Sequence, residues 1–134
     1  MKHLVVILFS LLSISMAGQT IKKEEVIGKW KAISLEATGK IDPTEFKELK
    51  KMFSDATFTF DKNGNAIIDL PNDEMGISEM FRNAKWIFDE NKSNIKIGSK
   101  ADNYTIMGLR VVKERDKTYL ELFEPSVRLL VAKQ

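Results

Sequence analysis

Gly28-Lys29-Trp30, continued as Lys31-Ala32-Ile33-Ser34-Leu35-Glu36, is the stretch that decides the fold. A glycine lets a strand start tightly, and a large ring two residues later can cover one end of a small β-barrel. Gly-x-Trp is short and recurs by chance, so its weight comes from position. One helix pattern follows it, and then seven further strand patterns separated by turn residues. Alternation puts Trp30, Ala32 and Ser34 on one face and Lys29, Lys31, Ile33 and Leu35 on the other. The Trp face is assigned to the interior, where the small partners leave room beneath the ring.

Asp42-Pro43-Thr44-Glu45 reads as a helix start, with Asp as N-cap, Pro at the first helical position and Glu closing a capping box. Phe46, Leu49, Met52 and Phe53 follow at helical spacing, an apolar stripe of the kind that lies on a core. A strand over 55–61 carries Ala56, Phe58 and Phe60 on one face, and Asn63-Gly64 turns it into a partner over 65–70, because Asn-Gly supplies the positive φ angles a tight hairpin requires. Met75, Ile77, Met80 and Phe81 fall in a short helix or an irregular lid. Further strands are expected around Trp86, over 94–98, over 104–113 with an irregularity near Gly108, over 118–123 and over 127–131. The expected fold is all-β: an eight-stranded antiparallel up-and-down barrel with one helix after the first strand and a short lid segment. It forms one domain over 19–134, without linker or internal repeat.

Residues 1–18 read as a signal peptide: Lys2 and His3, an apolar stretch from Leu4, then Ser15-Met16-Ala17 as a cleavage site. The stretch is short for a membrane span, and no cysteine follows to carry a lipid anchor, so a secreted or periplasmic protein is expected. The whole chain holds 21 basic and 19 acidic residues, interleaved, which gives no electrostatic case for a nucleic-acid partner. The single histidine lies in the signal segment and cysteine is absent. Disulfides, His/Cys zinc sites and Ser-His or Cys-His nucleophile pairs are therefore closed to the exported domain, and neither an enzyme nor a cofactor is expected. Asp61, Asp73, Glu74, Asp89, Glu90 and Asp116 fall at turns, where carboxylates serve local hydrogen bonding. The run Asp61-Lys62-Asn63-Gly64-Asn65 lacks the spaced oxygens and terminal Glu of a calcium loop.

Taken with Phe58-Thr59-Phe60-Asp61-Lys62-Asn63-Gly64, Lys85-Trp86-Ile87-Phe88, Tyr104-Thr105-Ile106 and Tyr119-Leu120-Glu121-Leu122, the Gly28-Lys29-Trp30 triplet resembles a small exported lipocalin-like domain of bacterial type. The resemblance runs from about Ile27 to the end of the chain. It implies an arginine of a late strand packed across the tryptophan, with Arg128 first by position and Arg110 second, so Gly28, Trp30 and Arg128 are expected to be structural. Fatty-acid binding proteins are a related possibility, but this chain is two strands short of their usual ten.

A barrel of eight strands either fills its interior or holds one small ligand. The candidate ligand-binding residues are Ser34, Ala56, Phe58, Phe60, Trp86, Phe88 and Tyr104, with Ala32, Ala84 and Arg110 beside them. Two functions are open: a non-enzymatic carrier of a small hydrophobic or amphipathic molecule, or a protein-interaction barrel, such as an inhibitor or envelope scaffold, with a filled core. The Met75–Phe81 stretch serves either as a fixed plug or as an adaptable portal.

Overall fold

A computed structural model describes residues 20–134. The expected signal segment lies outside the described residues. Eight strands, β1 Gly28–Ala37, β2 Thr57–Phe60, β3 Ala66–Asp69, β4 Lys85–Asp89, β5 Asn94–Gly98, β6 Met107–Glu114, β7 Lys117–Leu122 and β8 Val127–Lys133, form one sheet in the order β3-β2-β1-β8-β7-β6-β5-β4. All neighbours pair antiparallel. The two edge strands meet at an Asn65–Lys85 bridge, where Trp86 N donates to Gly64 O at 2.9 Å and Ala66 N to Ala84 O at 3.0 Å. The barrel is thus nearly closed, and closure satisfies strand edges that would otherwise invite another chain.

Chain direction sorts the connections into two ends. The turns 61–65, 90–93 and 115–116 lie at one end with a short helix, α1 Lys23–Val26; the longer connections 38–56, 70–84, 99–106 and 123–126 gather at the other. At the short-turn end Trp30 is buried and its indole N–H donates to the Val26 carbonyl at 2.8 Å, so α1 plugs the barrel beneath the ring. The charged residues Lys22-Lys23-Glu24-Glu25 form the solvent side of this plug. Trp86 packs beside Phe60, ring centroids 5.3 Å apart, and its indole N–H donates to the Asp61 carbonyl at 2.9 Å.

Arg128 does not cover Trp30. The cation over that ring is Lys133 of the same strand, with Nζ 5.4 Å from the centroid. Val127, Leu129 and Val131 point inward along β8, and residues an even number of positions apart share a face, so Lys133 follows them while Arg128 and its neighbour Leu130 face out. Gly28 makes the approach possible: at φ 140° a Cβ there would stand 2.6 Å from Lys133 Cε. Arg128 instead lies 3.8 Å over the Tyr119 ring on the outer wall, with Nε donating to Glu36 at 2.8 Å and Nη1 to Glu114 at 3.2 Å. Arg110 also faces outward, across from Glu121.

Two strand readings are corrected. A bulge between Ala32 and Ser34 in the pairing with β8 shifts the alternation of β1, so Leu35 turns inward and Ser34 outward. Residues 104–106 are not strand. Asp102 Oδ1 accepts from Ser99 N at 3.0 Å and Thr105 N at 3.1 Å, and Asn103 and Tyr104 both adopt positive φ, which bends the chain before β6 begins.

Candidate binding site at the loop-rich end

The sequence-predicted ligand residues do not surround an open interior. Ala56, Phe58 and Phe60 are wholly buried, and Trp86 is 2 % exposed, so these side chains touch almost no space that a water molecule could enter. They belong to one contiguous cluster with Ile95, Ile97, Leu109, Leu120 and Leu129, and Phe53 stacks on Phe58 at 6.4 Å. Ala56 and Ala84 make room for opposing rings. Phe88 is half-buried against the cluster, Tyr104 is half-buried in the 99–106 loop, and exposed Ser34 lines a small pocket of about 170 Å³ that reaches from Ile33 and Asp55 to the buried Leu35, Phe53 and Leu129. These residues are therefore dispersed over the interior, a loop and the outer wall.

Two concave surfaces with apolar walls lie at the loop-rich end, one on each side of the lid, and a wider one of about 790 Å³ on the flank of α2 is lined mainly by polar and charged residues. The second helix, α2 Pro43–Met52, carries the predicted N-cap and proline, with the Asp42 carboxylate accepting from Glu45 N at 3.1 Å, but the Glu45 carboxylate makes no return bond to close the expected capping box. None of its residues is fully buried; Phe46, Leu49 and Met52 rest half-buried on the core and leave a groove of about 490 Å³ against residues 72–75 and Ile77. The lid contains a 3₁₀ helix, Ile77–Phe81, anchored by buried Phe81. On its far side Ile77, Met80 and Phe81 face Ile106, Met107, Leu122 and Phe123 across a second groove of about 600 Å³. Ile77 lines both grooves.

The apolar walls of these grooves are partly solvent-facing. Met75 is 80 % exposed, Met80 56 % and Phe123 49 %. Phe123 lies on Gly108, where a Cβ would stand 2.3 Å from the ring, so the glycine read from sequence as a strand irregularity is where an aromatic side chain closes onto β6. Sequence reading named the lid residues but not Leu49, Met52, Ile106, Met107, Leu122 and Phe123 as their counterparts. The usable signal was the apolar density at strand ends bordering long connections.

Four polar contacts hold the lid. The Asp73 carboxylate accepts from Ser78 N at 2.7 Å and Met75 N at 3.1 Å; Lys51 pairs with Glu74 at 2.7 Å; and Asn72 Nδ2 donates to the Ser54 carbonyl at 3.0 Å. The Ser78 amide, foremost among these donors, holds the Asp73 carboxyl below its ordinary value of 3.8. A depressed carboxyl contributes stability above its unfolded value and loses it as pH falls through the folded value. The lid is therefore expected to loosen only below about pH 4. Asp73→Ala should speed amide exchange at Met75 and Ser78 at neutral pH while leaving exchange in β5 and β6 unchanged, and equal protection of the lid in both proteins would refute this latch.

Among the described residues no grouping of three or more His, Asp or Glu is placed to hold a metal ion, and no helix is long and apolar enough to cross a membrane. Set against known proteins, the chain matches no family model, no curated protein and no solved structure.

Proposed function

We propose that this chain is an exported, non-enzymatic, lipocalin-like binding protein that takes a small hydrophobic or amphipathic molecule at the loop-rich end of its barrel, beside the lid. The observation that carries this reading is the pairing of a filled interior with two apolar grooves on either side of Ile77. Their volumes, about 490 and 600 Å³, fall in the range of small-molecule sites. Methionines at Met52, Met75, Met80 and Met107 supply walls that adapt to varied apolar shapes. The lipocalin-like reading is supported by the near-closed meander and by Trp30 at the short-turn end, under a cation from the last strand. Export rests on the pattern of residues 1–18.

The test is titration with the neutral fluorophore Nile red. Met75→Glu and Met80→Glu, both at exposed positions, should keep the fold and weaken dye binding roughly tenfold, because each sets a charge against the apolar walls. Undiminished binding in both variants would move the site elsewhere. A second reading, a protein-interaction barrel, is favoured by the solvent exposure of Met75, Met80 and Phe123. It takes the lead if the parent binds no apolar probe.

A further inference from the structure

We infer that the groove between α2 and the lid is built for an amphipath with a cationic head; this rests on the binding function proposed above and names its ligand class. Its apolar lining is Leu49, Met52, Met75 and Ile77, and its charged lining is Glu45, Glu48, Asp73 and Glu74 against a single lysine, Lys51. Two of those carboxylates are committed, Asp73 to the lid amides and Glu74 to Lys51. Glu45 and Glu48 are engaged by no ion pair among the described residues.

Helical geometry aims the two free carboxylates at the same groove. Glu45, Leu49 and Met52 recur at i, i+4 and i+7, and Glu48 lies i−4 from Met52, so two negative charges line the same groove as these apolar side chains. The adjoining flank of α2 carries Lys47 and Lys50 beside Thr44 and Ser54; Glu48, Lys51 and Asn72 border both surfaces, and Glu45 borders only the groove. The chain as a whole is nearly neutral, so the sign at this groove comes from the placement of charges along α2, not from composition. A hydrocarbon tail along Leu49, Met52 and Met75 would leave its head beside Glu45 and Glu48, where a cation gains attraction and an anion meets repulsion.

The experiment displaces Nile red with dodecyltrimethylammonium and with dodecanoate, equal in chain length, at submicellar concentration, for the parent and for Glu45→Gln/Glu48→Gln. Glutamine preserves helix propensity, and the Asp42 cap reaches the Glu45 backbone, so circular dichroism should be unchanged. The parent should bind the cation about three- to tenfold more tightly than the anion, the scale of two exposed charge pairs. That preference should shrink with added salt and vanish in the double variant. Equal affinity for both amphipaths overturns the charge assignment and leaves the binding function standing. A preference that survives in the double variant overturns the assignment to this groove, and displacement by neither amphipath overturns both proposals. Concentration-dependent dimerisation abolished by Met75→Glu would give the groove to a second copy and also overturn the inference.

Discussion

Trp30→Ala is expected to cost about 3–5 kcal/mol of folding stability, the range for truncating a large buried aromatic side chain, and to lower Tm by roughly 10–25 °C. The indole fills the short-turn end of the barrel, holds α1 through the Val26 carbonyl and lies under Lys133. Lys133→Ala should cost far less, about 0.5–1 kcal/mol, because a solvent-facing cation over a ring contributes on that scale. Arg128→Ala should leave the Trp30 fluorescence environment unaltered, since its guanidinium stacks on Tyr119 on the outer wall. Thermal melts of the three variants check the ordering. A Trp30→Ala protein as stable as the parent would contradict the packing of that end.

Ala56→Phe separates a filled barrel from an open one. Ala56 is wholly buried in the cluster that includes Phe53 and Phe58, and its carbonyl accepts from Ala32 N at 2.9 Å. A phenyl ring has no space there, so the variant should lose about 1–3 kcal/mol by overpacking. Nile red affinity should change little in the fraction that remains folded, because the grooves beside the lid do not include this position. Chemical denaturation and dye titration of the same sample give both numbers. Loss of binding with undiminished stability would instead place the ligand inside the barrel.

Much of this architecture was legible because local chemistry and tertiary demand agree. Asn63-Gly64 turns β2 into β3, Asp42-Pro43 starts α2, and the alternating rings of Phe58, Phe60 and Trp86 face inward as the period of two requires. What escaped depends on contacts between strands distant in sequence. The bulge after Ala32 exists in the pairing with β8, and without it Ser34 counts as interior. The cation over Trp30 was readable in principle: Lys133 shares the parity of Val127, Leu129 and Val131, whereas Arg128 does not. The site was the least legible part. Its walls come from α2, the lid, β6 and β7, and their juxtaposition is set by where long connections meet at one end of the barrel.

The most direct measurement is methyl-detected NMR of the labelled protein during titration with Nile red. Ligand at the loop-rich end should shift Met52, Met75, Ile77, Met80 and Met107, while the methyls of Ile95, Ile97, Leu109 and Leu129 stay in place within the filled interior. Shifts confined to Ile95, Ile97, Leu109 and Leu129, with the groove methyls silent, would contradict the account.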